Sequence, residues 1–127
     1  MENNNELIQI SETKKVLEVK QAMIDGSSFQ DISAKNIKIT DANLSDLEIE
    51  GAQIGGAYIH NIGMPPNGHP FYDPNARQRP VRFENCDLHG STIINCNLEN
   101  VVIDDCNLKG LKINGILLEE LLKAYSK

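Results

Sequence analysis

The amino-acid sequence predicts an all-β solenoid, a chain made to turn in the same sense every five residues and so coiled around flat faces. Three columns of residues predict it. A small column recurs at every fifth position from Ala22 through Ser27, Ile32, Ile37, Ala42, Leu47, Ala52 and Ala57 to Ile62. A large apolar column stands two residues later, at Ile24, Phe29, Ala34, Ile39, Leu44, Ile49, Ile54 and Ile59. Two residues further comes a corner column of Gly26, Asp31, Asn36, Asp41, Asp46, Gly51, Gly56 and Asn61. Gly, Asn and Asp tolerate positive φ or close an Asx-type turn at low cost. An α-helix repeats every 3.6 residues and a strand every 2, so neither accounts for a period of five.

The pattern resumes in a shifted frame from Val81, with Cys86, Ser91, Cys96, Val101, Cys106 and Leu111 in the small column. Phe83, Leu88, Ile93, Leu98, Ile103, Leu108 and Ile113 fill the large column. The corners are Asn85, Gly90, Asn95, Asn100, Asp105, Gly110 and Gly115. Neither apolar column holds a charged residue. The chain thus reads as a single domain, 1–127, made of an N-terminal cap (1–21), repeats (22–62), an inserted loop (63–80), repeats (81–115) and a C-terminal helix (116–127). Leu7, Ile8, Ile10, Val16, Leu17 and Val19 supply the cap, and Leu17 and Val19 already fall in the repeat frame.

Ala42-Asn43-Leu44, Cys86-Asp87-Leu88, Cys96-Asn97-Leu98 and Cys106-Asn107-Leu108 resemble the signature of the pentapeptide-repeat family, Ala-(Asp/Asn)-Leu-X-X, a family common in bacteria. The resemblance covers residues 22–62 and 81–115. It implies a right-handed quadrilateral β-helix in which four repeats make one square turn, here about four coils with a C-terminal capping helix. Residues twenty apart would then stack on one face at ~4.8 Å per coil. Exposed end coils are a liability in any solenoid, because each coil buries its inward columns only against its neighbours. Leu118, Leu121, Leu122 and Tyr125 stand at i, i+3, i+4 and i+7, so Ile116 to Tyr125 reads as an amphipathic helix. It either caps its own chain or pairs with a second copy, leaving the protein a monomer or a homodimer.

The 127 residues carry a net charge of −6, which argues against direct nucleic-acid binding, since that is driven by Lys and Arg contacts to phosphate. No apolar run approaches the ~18 residues of a membrane span, and the first residues lack the features of a secretory signal, so a cytoplasmic protein without membrane contact is expected. Aromatic content of only 5%, with no Trp, means that small and aliphatic side chains fill the inward columns.

All five prolines lie between Pro65 and Pro80, and all three arginines lie in or beside that stretch, at Arg77, Arg79 and Arg82. Proline donates no backbone hydrogen bond, so residues 63–80 leave the coil as a loop. Segment by segment, residues 1–62 carry −5, residues 63–80 carry +1 and residues 81–127 carry −2. The loop alone is positive. With His69, Phe71, Tyr72, Asp73, Arg77, Arg79 and Arg82 it offers a basic, aromatic surface suited to an acidic or planar partner, here an unidentified protein. The alternative is architectural, with Phe71 and Tyr72 covering a face of the coil and the arginines pairing with Glu84 or its neighbours.

Catalytic and metal readings find little support. The cysteines fall ten apart in the small inward column, where burial would make them inert packing residues, and a bridge between Cys86 and Cys106 fits the required dihedral poorly. His60 and His89 point outward, away from those thiols, and no metal-ligand spacing is present. No cofactor is expected. The function read from the sequence is therefore a non-catalytic structural or protein-interaction module. The resemblance adds a second reading, because some pentapeptide-repeat proteins mimic duplex DNA in shape and charge and bind type II topoisomerases. Outward acids such as Glu48, Glu50, Glu84, Glu99 and Asp104 fit it, whereas the loop and the interspersed Lys35, Lys38, Lys109 and Lys112 depart from it. A third reading places a ligand-binding or enzymatic site at the loop.

Overall fold

The computed structural model describes residues 6–126, in two compact units that divide between Ala57 and Tyr58. In both units the chain turns where the corner column predicts. Every corner from Gly26 to Asn61 and from Asn85 to Gly115 has positive φ, between +51° and +82°. Gln21 joins them at φ +50°, so the first corner stands one repeat before the Gly/Asn/Asp column begins.

The corners are of two kinds, alternating every five residues. At one kind the residue after the corner donates its N–H to the carbonyl of the large-column residue three back: Ser27 to Ile24, Leu47 to Leu44 and Ala57 to Ile54, then Ser91 to Leu88, Val101 to Leu98 and Leu111 to Leu108, all 2.9–3.1 Å. This closure with positive φ at the third residue is what a type II turn requires, and Gly26, Gly56, Gly90 and Gly110 occupy that place. The other kind is an open bend at Gln21, Asp31, Asp41, Gly51 and Asn61, then Asn85, Asn95 and Asp105. The true structural repeat is therefore a decapeptide of one hydrogen-bonded corner and one bend.

The signature residues have a mechanical role at the hydrogen-bonded corners. Asn43 Oδ1 accepts the N–H of Ser45, Asp87 Oδ1 that of His89, Asn97 Oδ1 that of Glu99 and Asn107 Oδ1 that of Lys109, all 3.0–3.1 Å. Each is an Asx-turn that fixes the chain just before the corner.

Of the predicted β-helix the structure shows the repeating corners, and not the four stacked coils. Among the described residues the only ladder is a two-stranded antiparallel sheet, β1 (Lys112–Ile113) with β2 (Ile116–Leu117), followed by one helix, α1 (Leu118–Tyr125). No described residue is buried. Large-column residues before a hydrogen-bonded corner are 47–52% exposed at Ile24, Leu44, Ile54, Leu88 and Leu98. Those before a bend are barer, 65% at Ile49 and 70% at Ile93. The difference is one of range: the hydrogen-bonded corners are closed by partners two or three residues away, whereas stacking needs partners twenty apart. The first unit shows where stacking would occur, since residues 28–35 on one side and Glu48, Glu50 and residues 51–54 on the other line one cleft of about 1130 Å³. Twenty residues separate its two walls.

The ends of the chain differ. At the N-terminal end Leu7, Ile8 and Val16, expected to supply a cap, are 79–100% exposed and belong to no element; residues 1–5 of that expected cap lie outside the described residues. The helix begins at Leu118, two residues later than the apolar spacing predicts, because Ile116 and Leu117 are drawn into β2. Asn114 and Gly115, at φ +50° and +81°, form the two-residue turn between β1 and β2. Positive φ at both positions is the type I′ requirement, which Asn-Gly meets best.

Gln21 sits in a conformation that costs a residue with a Cβ about 1 kcal/mol, and Asn tolerates it better. Gln21→Asn is expected to stabilise the protein by roughly 0.5 kcal/mol in urea unfolding, with an unchanged m-value. Asn97→Ala, which removes one Asx-turn, is expected to destabilise it by about 1 kcal/mol in the same assay.

Candidate functional site

The loop of residues 63–80 belongs to the second unit and is built from successive tight turns. His69 N–H donates to Pro66 O at 3.0 Å, Tyr72 N–H to His69 O at 3.0 Å and Ala76 N–H to Asp73 O at 3.2 Å. Five prolines lower the entropy lost on ordering such a segment. Pro65 and Ala76 are its two half-buried residues.

Two side chains reinforce these turns. Asp73 Oδ1 accepts the N–H of Asn75 at 2.9 Å, the same Asx device that the repeats use. His69 Nδ1 accepts the N–H of Phe71 at 3.1 Å, which places the proton of the neutral ring on Nε2. The His69 and Phe71 rings lie 5.7 Å apart, tilted by 43°. His69 and Asp73 therefore act first on the loop's own backbone, holding Phe71 and Tyr72 between them.

What the loop presents is aromatic and cationic. Phe71 is 79% exposed and Tyr72 42%, so neither ring is spent on covering a face of the coil. Arg77 and Arg79 alternate along the segment that leads back to the repeats. Arg82 pairs with Glu84 at 2.9 Å, both side chains exposed, which is the pairing expected of the architectural reading at that one position. An exposed pair of this kind contributes at most about 1 kcal/mol. The loop thus brings His69, Phe71, Tyr72 and Asp73 into one run of turns, with the arginines following in sequence.

The histidine and cysteine expectations divide. His60 is exposed and stacks on Tyr58 with ring centroids 3.9 Å apart and planes 6° from parallel. Sequence reasoning missed this pair, although i and i+2 share a side of any extended segment. The cysteines are not buried: Cys86, Cys96 and Cys106 are free and exposed. Each thiol donates to the carbonyl two residues back, of Glu84, Ile94 and Asp104, at 3.1–3.3 Å. With no coil stacked over the small column, a local carbonyl is the thiol's partner. Among the described residues no group of three His, Cys, Asp or Glu side chains gathers at metal-binding distance, and no helix is long and apolar enough to cross a membrane.

The class of protein follows from the corners: a repeat protein whose unit is a five-residue step ending in left-handed backbone. The family model of pentapeptide repeats matches residues 82–119, in eight copies. Those residues are pentapeptide repeats, and residues 22–62 carry the same corner column at the same φ. No curated protein and no solved structure matches the chain.

Asp73→Ala is expected to leave the repeats unchanged while opening the loop. Losing one turn hydrogen bond, about 1 kcal/mol, predicts roughly fivefold faster tryptic cleavage at Arg77.

Proposed function

We propose that the protein is a non-catalytic interaction module, in which the repeats close into a right-handed quadrilateral β-helix of about four coils and the loop of residues 63–80 engages an acidic protein partner. The observation that carries this reading is the exposure of Phe71 on a loop whose turns are fixed by its own side chains. Exposed aromatic side chains beside arginines are the residue types that dominate binding energy at protein interfaces. The loop is also the one positive segment of an acidic chain, which favours encounter with negative surfaces. Coil closure is supported by the twenty-residue spacing of the cleft walls in the first unit and by the charge-free columns. Covering the exposed half of each large-column side chain contributes about 1 kcal/mol per residue.

The test compares the intact protein with a variant in which residues 64–80 are replaced by a short Gly-Asn linker, and with Phe71→Ala and the double variant Arg77→Ala/Arg79→Ala. All are used to capture partners from native cytosol, after matched unfolding curves show that the repeats are unaffected. A partner lost with the linker and with Phe71→Ala, and weakened at raised salt by the arginine changes, is the expected result. A partner retained by the linker variant would move the contact to the repeats.

A further inference from the structure

We infer that the C-terminal hairpin and helix are the seed of coil closure, so that stacking spreads from residue 118 back towards the loop and not in the opposite direction. The inference rests on the closed coil proposed above. The end of the second run is where the described residues make pairings beyond the reach of a single turn. Lys112 pairs with Leu117 and Ile113 with Ile116 across the Asn114-Gly115 turn, and Leu118 N–H donates to Leu111 O at 2.9 Å. That bond extends the ladder by one more register position, directly onto the last hydrogen-bonded corner, whose Leu111 N–H donates to Leu108 O.

Burial points to the same place. Leu108, Leu111, Leu117 and Leu118 are half-buried, whereas every other large-column residue of the run is exposed. Helix α1 continues from Leu118, so the most sheltered apolar residues of the run lie at the hairpin and the start of the helix. In a chain of nearest-neighbour units, closure begins where a neighbour is already in place. The hairpin supplies that first neighbour at low cost, because a two-residue turn closes far less chain than a twenty-residue coil. Residues 6–21 show no counterpart, being exposed and without an element. The device is thus one-sided.

Two glycines at opposite ends of the second run make a matched test. Gly90 and Gly115 have φ of +70° and +81°, and a Cβ added to either meets nothing within 4 Å. Gly90→Val and Gly115→Val therefore carry similar backbone penalties and no clash. The readout is hydrogen exchange of the full chain, followed by mass spectrometry. In the parent protein, slow exchange across residues 82–118 is expected. Gly115→Val is expected to abolish it throughout that span, and Gly90→Val only up to about residue 95, leaving 98–118 protected. Equal and mirror-image losses, each confined to its own end, would overturn the seed while leaving closure intact. Complete loss in both variants would overturn it too, because the ends would then be equivalent. A parent protein without slow exchange anywhere in the repeats would overturn closure itself and the seed with it.

Discussion

Everything in this molecule depends on the left-handed corner. Positive φ at every fifth residue bends the chain in one sense, and at the hydrogen-bonded corners, which alternate with open bends, the turn is fixed by bonds that reach two or three residues: a backbone N–H to the large-column carbonyl, and an Asx-turn from the signature Asp or Asn. Each corner is thus specified by about five consecutive residues and needs nothing from elsewhere in the chain. That independence explains why the same geometry recurs on both sides of an eighteen-residue interruption and in both compact units.

The corners were legible in the sequence because they are local. Gly, Asn and Asp at a period of five announce positive φ, and the structure places it at each of those positions. What the column could not show is that corners alternate between hydrogen-bonded turns and bends, since Gly occurs at both kinds, as Gly26 and Gly51 illustrate. The Asn114-Gly115 hairpin was hidden for a related reason. Gly115 fits the corner column, so it reads as one more repeat unless Asn114 is also allowed positive φ. The loop announced itself through its prolines, but the roles of His69 and Asp73 as acceptors for Phe71 and Asn75 depend on side-chain rotation that no spacing encodes.

The buried column is the expectation that the structure does not show, and the cysteines show why. Placing Cys86, Cys96 and Cys106 in an inward column assumes that coils twenty residues apart are in contact, which is a long-range statement. The structure fixes the short-range part, the thiol donating to the carbonyl two residues back, and leaves the long-range part open, as at the cleft that residues 28–35 line with Glu48, Glu50 and residues 51–54. A family match confined to residues 82–119 coincides with the end of the chain where pairing beyond one turn has been made. The functional reading inherits this division: the loop is held by its own turns, so its presentation of Phe71 does not wait on closure of the coils.

The most direct test of locally encoded corners joined by a twenty-residue closure is a nuclear Overhauser map of the isotope-labelled protein in solution. The account predicts contacts between large-column residues twenty apart, such as Phe29 with Ile49 and Phe83 with Ile103, together with the i to i+3 contacts of every hydrogen-bonded corner. Corner contacts without any at i to i+20 would contradict closure, and long-range contacts at another spacing would contradict the four-repeat turn.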